Sequence, residues 1–169
     1  MITSLKLTNF RKIVSDEMIF TPGINVIKGP NEASKSSRLE AIAYALFGSR
    51  ALRTPLEATV TWEKPLSSMK VVLALNIGRD SYIFTRAKSG SEVIKNGVVF
   101  CTGQNETSAL AATFLGADIN TSGKLLLADQ NSIRGVLSGG PKELSTFLED
   151  LAGFDTFDRI LDAASKKLA

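Results

Sequence analysis

The sequence has no histidine, and Cys101 is its only cysteine. Histidine-based acid–base chemistry is thereby excluded, no internal disulfide can form, and a protein-built zinc site lacks its usual ligands. Long apolar runs are missing as well: residues 41–47 make the longest, far short of a bilayer crossing. The opening residues alternate polar and apolar and carry Lys6, Arg11 and Lys12. They lack the continuous apolar core of a secretion signal, so a cytoplasmic location without a membrane partner is expected. No block of like charge occurs. The net charge of +3 and pI of about 9.1 permit a nucleic-acid partner without arguing for one. What remains is ordinary globular composition, 44% hydrophobic and 22% charged, with enough apolar residues to bury a core. A chain of 169 residues suits one domain or one large lobe of a domain.

Periodicity divides the chain. Residues 2–9 alternate as a strand, with Leu5 and Leu7 on one face and Lys6 and Thr8 on the other. Residues 18–20 close a second strand before the turn Thr21-Pro22-Gly23. Residues 24–27 are short, apolar and β-branched, the pattern of a central strand buried on both faces. A loop follows to Ser34. The spacing then predicts a helix over 35–47 with Leu39, Ile42, Ala43, Leu46 and Phe47 on its stripe and Gly48 as its stop. From 58 to 101 short β runs predict an antiparallel meander: 58–62, 69–77, 81–86, 92–95 and 98–101. Asn96-Gly97 between the last two is the strongest local hairpin signal. A helix is expected over 105–115, a buried strand over 125–128, and helices over 141–151 and 155–168. The implied organisation is a phosphate-loop core over 1–57, an antiparallel β region over 58–101 and a helical part over 102–169.

The chemistry concentrates in Gly29-Pro30-Asn31-Glu32-Ala33-Ser34-Lys35-Ser36. It departs from the phosphate-binding pattern G-x-x-x-x-G-K-[ST] at one position. A strand signal before it and a helix signal after it supply the context that such a loop requires. Backbone N–H groups of the loop and the helix N-terminus converge on a β-phosphate, Lys35 bridges β- and γ-phosphates, and the Ser36 hydroxyl serves Mg²⁺. The departure is Ser34, where the pattern has glycine. If φ is positive there, a Cβ adds roughly 1 kcal/mol or more of strain. A working loop of reduced affinity and a silent loop kept as scaffold both remain open.

These residues also carry a resemblance. The stretches LKLTNFRKI and FTPGINVIKGPNEASKSSRLEAIAYALFG resemble the opening of SbcC-type DNA-repair ATPases, relatives of the SMC proteins. The resemblance implies a P-loop NTPase of α/β class: the N-terminal lobe of an ABC-type ATPase head, whose C-terminal helices lead toward a coiled coil. It implies that Arg11 reaches the nucleotide phosphates. Gly29, Asn31, Glu32, Ala33, Ser34, Lys35, Ser36 and Ser37 would line the ATP and Mg²⁺ site. Gln130, after the strand signal at 125–128, would touch Mg²⁺ and the attacking water. Each has a plainer alternative: Arg11 as a solvated strand-end arginine, Gln130 as a polar strand cap, Ser37 as a first-turn serine. The implied partners are a C-terminal lobe of the same ATPase, a second head in a homodimer, an SbcD-type nuclease and DNA bound without sequence preference. The implied setting is the nucleoid.

Two features limit the enzyme. Leu137-Ser138-Gly139-Gly140 looks like the signature that clasps ATP on a partner subunit, but it falls seven residues after Gln130. It reads instead as a loop before a Pro-initiated helix. No run of four apolar residues ends in Asp-Glu, so the carboxylate that would polarise the attacking water is not in this chain. The expectation is an ATPase half, active only when a C-terminal lobe completes it. A scaffold without nucleotide and a P-loop kinase of another class are the competing readings. If DNA is touched, Arg50, Arg53, Lys70 and Arg86 are expected on the exposed side of the meander. A half-domain is also expected to expose an apolar surface.

Overall fold

A computed structural model describes residues 1–116 together with Gly140 and Ser145. The chain divides into two compact units, Met1–Ile119 and Asn120–Ala169, and every element below belongs to the first. The expectations for the strand over 125–128, Gln130, the Leu137–Gly139 part of the signature-like segment and the helices beyond 140 lie outside the described residues.

Six strands form one sheet: β1 (Ile2–Phe10), β2 (Ile13–Ile19), β3 (Lys70–Ile77), β4 (Asp80–Ala87), β5 (Gly90–Lys95) and β6 (Val98–Thr102). Their order is β2-β1-β3-β4-β5-β6, and every pairing is antiparallel. The expected meander is present from β3 to β6, and β1 and β2 extend it into one wholly antiparallel sheet. Turn chemistry sets the register. Asn96 (φ 50°) and Gly97 (φ 84°) both adopt positive φ, as a tight two-residue hairpin with matching twist requires.

Alternation puts one face of the sheet into the core. Leu5, Leu7, Val71, Leu73, Tyr82, Phe84 and Val93 are buried there, at every second residue along their strands. Helices α1 (Lys35–Phe47) and α2 (Gln104–Leu115) pack against this face. The α1 stripe differs in part from its expected form. Ile42, Ala43 and Phe47 are buried, but Leu39 is 47% exposed, and Ala41, Tyr44 and Ala45 join the core. Helix α1 is wrapped more fully at its C-terminal half than one stripe implies. Gly48 terminates it with φ 72°, its N–H bonding to Tyr44 O.

Two expected strands are absent. Residues 24–27 form no ladder, and Ile24 and Val26 are 93% and 69% exposed. The Asn25 carboxamide closes a local turn, accepting from Thr21 N and donating to Thr21 O and Gly23 O. The segment pairs with none of the described strands. Within 58–62 only Val60 makes a bridge, to Phe10. The Thr59 hydroxyl donates to Pro55 O four residues back, a local side-chain bond that competes with strand pairing, while the Thr61 hydroxyl donates across to Ile13 O of β2.

Arg86 is the other correction. Its expected place was exposed, yet it is fully buried. It lies in phase with Tyr82 and Phe84 on β4, and its guanidinium reaches the end of α1. There it donates to Ala45 O and Leu46 O, and beyond them to Gln104 O, Gln104 Oε1 and Ser108 Oγ of α2. A cation among the last carbonyls of a helix satisfies orphan acceptors and complements the helix dipole. Burial lowers its pKa to about 10, which leaves it charged at neutral pH.

Candidate functional site

The phosphate-loop segment runs from Gly29 into α1. Gly29 has no room for a side chain, since a Cβ there would lie 2.9 Å from the Ala33 methyl. Glu32 (φ 68°) and Ser34 (φ 58°) both sit in the left-handed region. Ser34 occupies the N-cap of α1 with φ 58° and ψ 28°. Its carbonyl accepts the first helical bond from Arg38 N, but its hydroxyl makes no capping bond. The first turn carries no acidic residue either. The N–H groups at the start of α1 are thus claimed by no side chain, and they carry the positive end of the helix dipole.

Lys35 folds back over the loop. Its ammonium donates to Gly29 O at 2.8 Å and to Pro30 O at 2.5 Å. The cation is held by two carbonyl dipoles and by no carboxylate. Such a partner is readily exchanged for phosphate oxygens, which bind ammonium more strongly. Asn31 and Ser36 are exposed beside it, and Ala33 and Ser37 are half-buried.

Three ion pairs tie the β1–β2 hairpin to this loop and helix. Lys12 pairs with Glu32 at 3.0 Å. Arg38 of α1 pairs with Asp16 of β2 at 2.8 Å and also donates to Ala33 O. Arg11, in the hairpin turn with φ 56°, pairs with Glu40 of α1 at 2.7 Å. The expected site residues of the hairpin and loop are therefore neighbours, with two qualifications. Arg11 is engaged by a carboxylate, and Glu32 faces Lys12 across a largely exposed surface. Glu40, Asp16 and Arg38 were not anticipated. Glu40 carried a readable signal, since it is the sole acidic residue of α1.

The arrangement fits a nucleotide triphosphate at its phosphate end. The close approach at Gly29, the uncapped N-terminus of α1 and the Lys35 ammonium are the donor set that phosphate oxygens need. For Mg²⁺ the described residues offer the Ser36 hydroxyl, a hard oxygen ligand; phosphate oxygens and water commonly make up the rest of such a shell.

The family described as AAA domain matches residues 4–98, more than half of the chain. Among curated proteins, the chain is 27% identical to a DNA double-strand break repair Rad50 ATPase of Methanocaldococcus jannaschii, over 94% of this chain and 16% of the relative. It is 24% identical to the Rad50 ATPase of Thermoplasma acidophilum, over 95% of this chain and 19% of that one. The chain thus spans less than a fifth of the length of these relatives. A solved SMC ATPase structure, from work on ATP-driven dimerisation and DNA-stimulated activation, is similar with a TM-score of 0.66 at 19% identity. The match covers 89% of this chain and 98% of that one, and it shows the P-loop ATPase-head fold.

Proposed function

The chain belongs to the AAA-domain family, as an N-terminal region of Rad50/SbcC type, and on that premise we propose that it is the nucleotide-gripping lobe of a DNA-repair ATPase head. The lobe binds ATP with Mg²⁺ through Gly29, Asn31, Glu32, Ala33, Ser34, Lys35, Ser36 and Ser37. Arg11 adds a contact to the phosphates, and Gln130 approaches the metal and the attacking water. The observation that carries this reading is the placement of Lys35 on carbonyls alone, at the uncapped N-terminus of α1.

The lobe grips nucleotide without hydrolysing it alone. A C-terminal lobe supplies the missing carboxylate and signature, and two heads close on two nucleotides. That switch gates DNA access for an SbcD-type nuclease in the cytoplasm, at the nucleoid. The exposed Ile24 and Val26 beside the loop suit a surface that such a C-terminal lobe covers. DNA contact, through phosphates and without sequence preference, falls to Arg50, Arg53 and Lys70, since Arg86 is buried.

A calorimetric titration with ATP, in the presence and absence of Mg²⁺, tests the reading. Mg²⁺-dependent binding that weakens in Ser36→Ala is expected. A second reading has its own observation: Ser34 at φ 58° is strained, and a silent scaffold lobe would bind ATP no better with Mg²⁺ than without.

A further inference from the structure

Arg11 and Glu40 form a fork-to-fork pair. Arg11 Nε donates to Glu40 Oε2 at 3.0 Å, and Nη2 donates to Oε1 at 2.7 Å. The side chains are only 20% and 8% exposed, so salt screens the pair weakly. Glu40 is fixed from a third direction, because Oε1 also accepts from Arg53 N at 3.0 Å. The turn that presents Arg11 is fixed as well. Its backbone N donates to Thr59 O at 2.6 Å, and its φ is 56°.

Packing alone does not account for a carboxylate at this position. The next five residues of α1, Ala41 to Ala45, are buried and mostly apolar. A buried ion pair is often no more stabilising than a well-packed apolar pair of similar volume. What the pair does supply is orientation. It consumes the Nε–H and one N–H of Nη2. The other three N–H groups of the guanidinium, two of them on Nη1, remain on its outer edge. Glu40 lies five residues beyond Lys35 on the same helix, about 7.5 Å along the axis at 1.5 Å per residue.

We infer that Glu40 is a positioning residue for nucleotide binding: it locks the Arg11 guanidinium against α1 so that the free edge meets the phosphates already ordered. The inference rests on the reading of Arg11 as a phosphate contact. Preorganising a flexible cation spares the ordering cost at the moment of binding. The pair is neutral as a whole, so what it presents to the phosphates is a set of fixed N–H donors, and their fixed geometry is the gain.

The test is a set of ATP·Mg²⁺ titrations and thermal melts on the whole chain. The proteins are the parent, Arg11→Ala, Glu40→Gln, their combination, and the exchange Arg11→Glu with Glu40→Arg. Glu40→Gln is expected to weaken ATP about tenfold, within the coupling measured between residues in contact. Combining it with Arg11→Ala should add little. The exchange rebuilds the pair with its polarity reversed, so it should recover the melting temperature while ATP affinity stays as low as in Arg11→Ala. If the exchange recovers both, the pair is only structural and the inference fails. It also fails if Arg11→Ala weakens ATP while Glu40→Gln binds as the parent does. If Arg11→Ala itself binds like the parent, or the parent binds nothing, the functional reading falls and takes this inference with it.

Discussion

Ser34 is where the loop departs from its pattern, and it adopts the conformation that makes the departure costly. At φ 58° an L-residue bears about 1–2 kcal/mol that glycine does not, and no capping bond offsets it. Ser34→Gly is expected to raise stability by relieving this strain and, by removing a Cβ where the backbone approaches the phosphates most closely, to tighten ATP·Mg²⁺ binding by about tenfold, equivalent to about 1.4 kcal/mol. Paired titrations measure this, and equal affinities would show that the serine is not the defect. The mismatch was legible in the sequence, because the pattern names the residue type at that position. Arg86 was legible only in principle. Period-two alternation puts it on the same face as Tyr82 and Phe84, but a charged side chain is ordinarily assigned to the surface. Only the carbonyls at the end of α1, far off in sequence, explain why it is inside. Arg86→Ala should cost about 3 kcal/mol or more in urea unfolding, through the cavity and the carbonyls left unpaired. A surface arginine would change stability by no more than about 0.5 kcal/mol, so a result that small would contradict its burial.

Elements closed by local chemistry were readable, and those that depend on distant neighbours were not. Helix α1 begins and ends as its sequence indicates, because Gly48 and the loop set both boundaries. The β5–β6 hairpin follows from Asn96-Gly97 alone. Residues 24–27 carry strand composition, but a strand forms only with a pairing partner, and none of the described strands pairs with them. The β4–β5 side of the sheet also holds an ion pair with a pH signature. Hydrogen bonds from Lys95 and Asn96 hold the Asp80 carboxyl below its ordinary pKa. Hydrogen bonding to Asp80 and Tyr82 raises Lys95 above its own. The Asp80 contribution is present above the ordinary carboxylate value of about 3.9 and is lost as pH falls through the lowered value. The Lys95 contribution is complete below about 10.4 and is lost as pH rises through the raised one. Asp80→Asn should lower the melting temperature at pH 7 and leave it closer to that of the parent at pH 2. A gap that is constant across this range would exclude the charge as its cause.

At the scale of the whole molecule, a mixture of strands and helices and the helix that follows the phosphate-loop segment were accessible from periodicity, whereas the strand expected before that segment is absent; the family was accessible from residues 5–48. The wholly antiparallel sheet was only half anticipated, because nothing in β1 announces that it pairs with β3 across the intervening residues 11–69. The joining of hairpin to loop by Lys12–Glu32, Arg11–Glu40 and Arg38–Asp16 was likewise hidden, since ion-pair partners follow from folding and not from spacing. Everything proposed for this lobe depends on the loop binding nucleotide. The most direct measurement is a calorimetric titration of ATP·Mg²⁺ into the parent chain and into Lys35→Ala. Saturable binding to the parent is expected, with a loss of at least about tenfold on removing the ammonium, the weight of one charge-assisted contact of about 1.5–3 kcal/mol. Equal heats from the two proteins, whether both bind or neither does, would contradict this expectation.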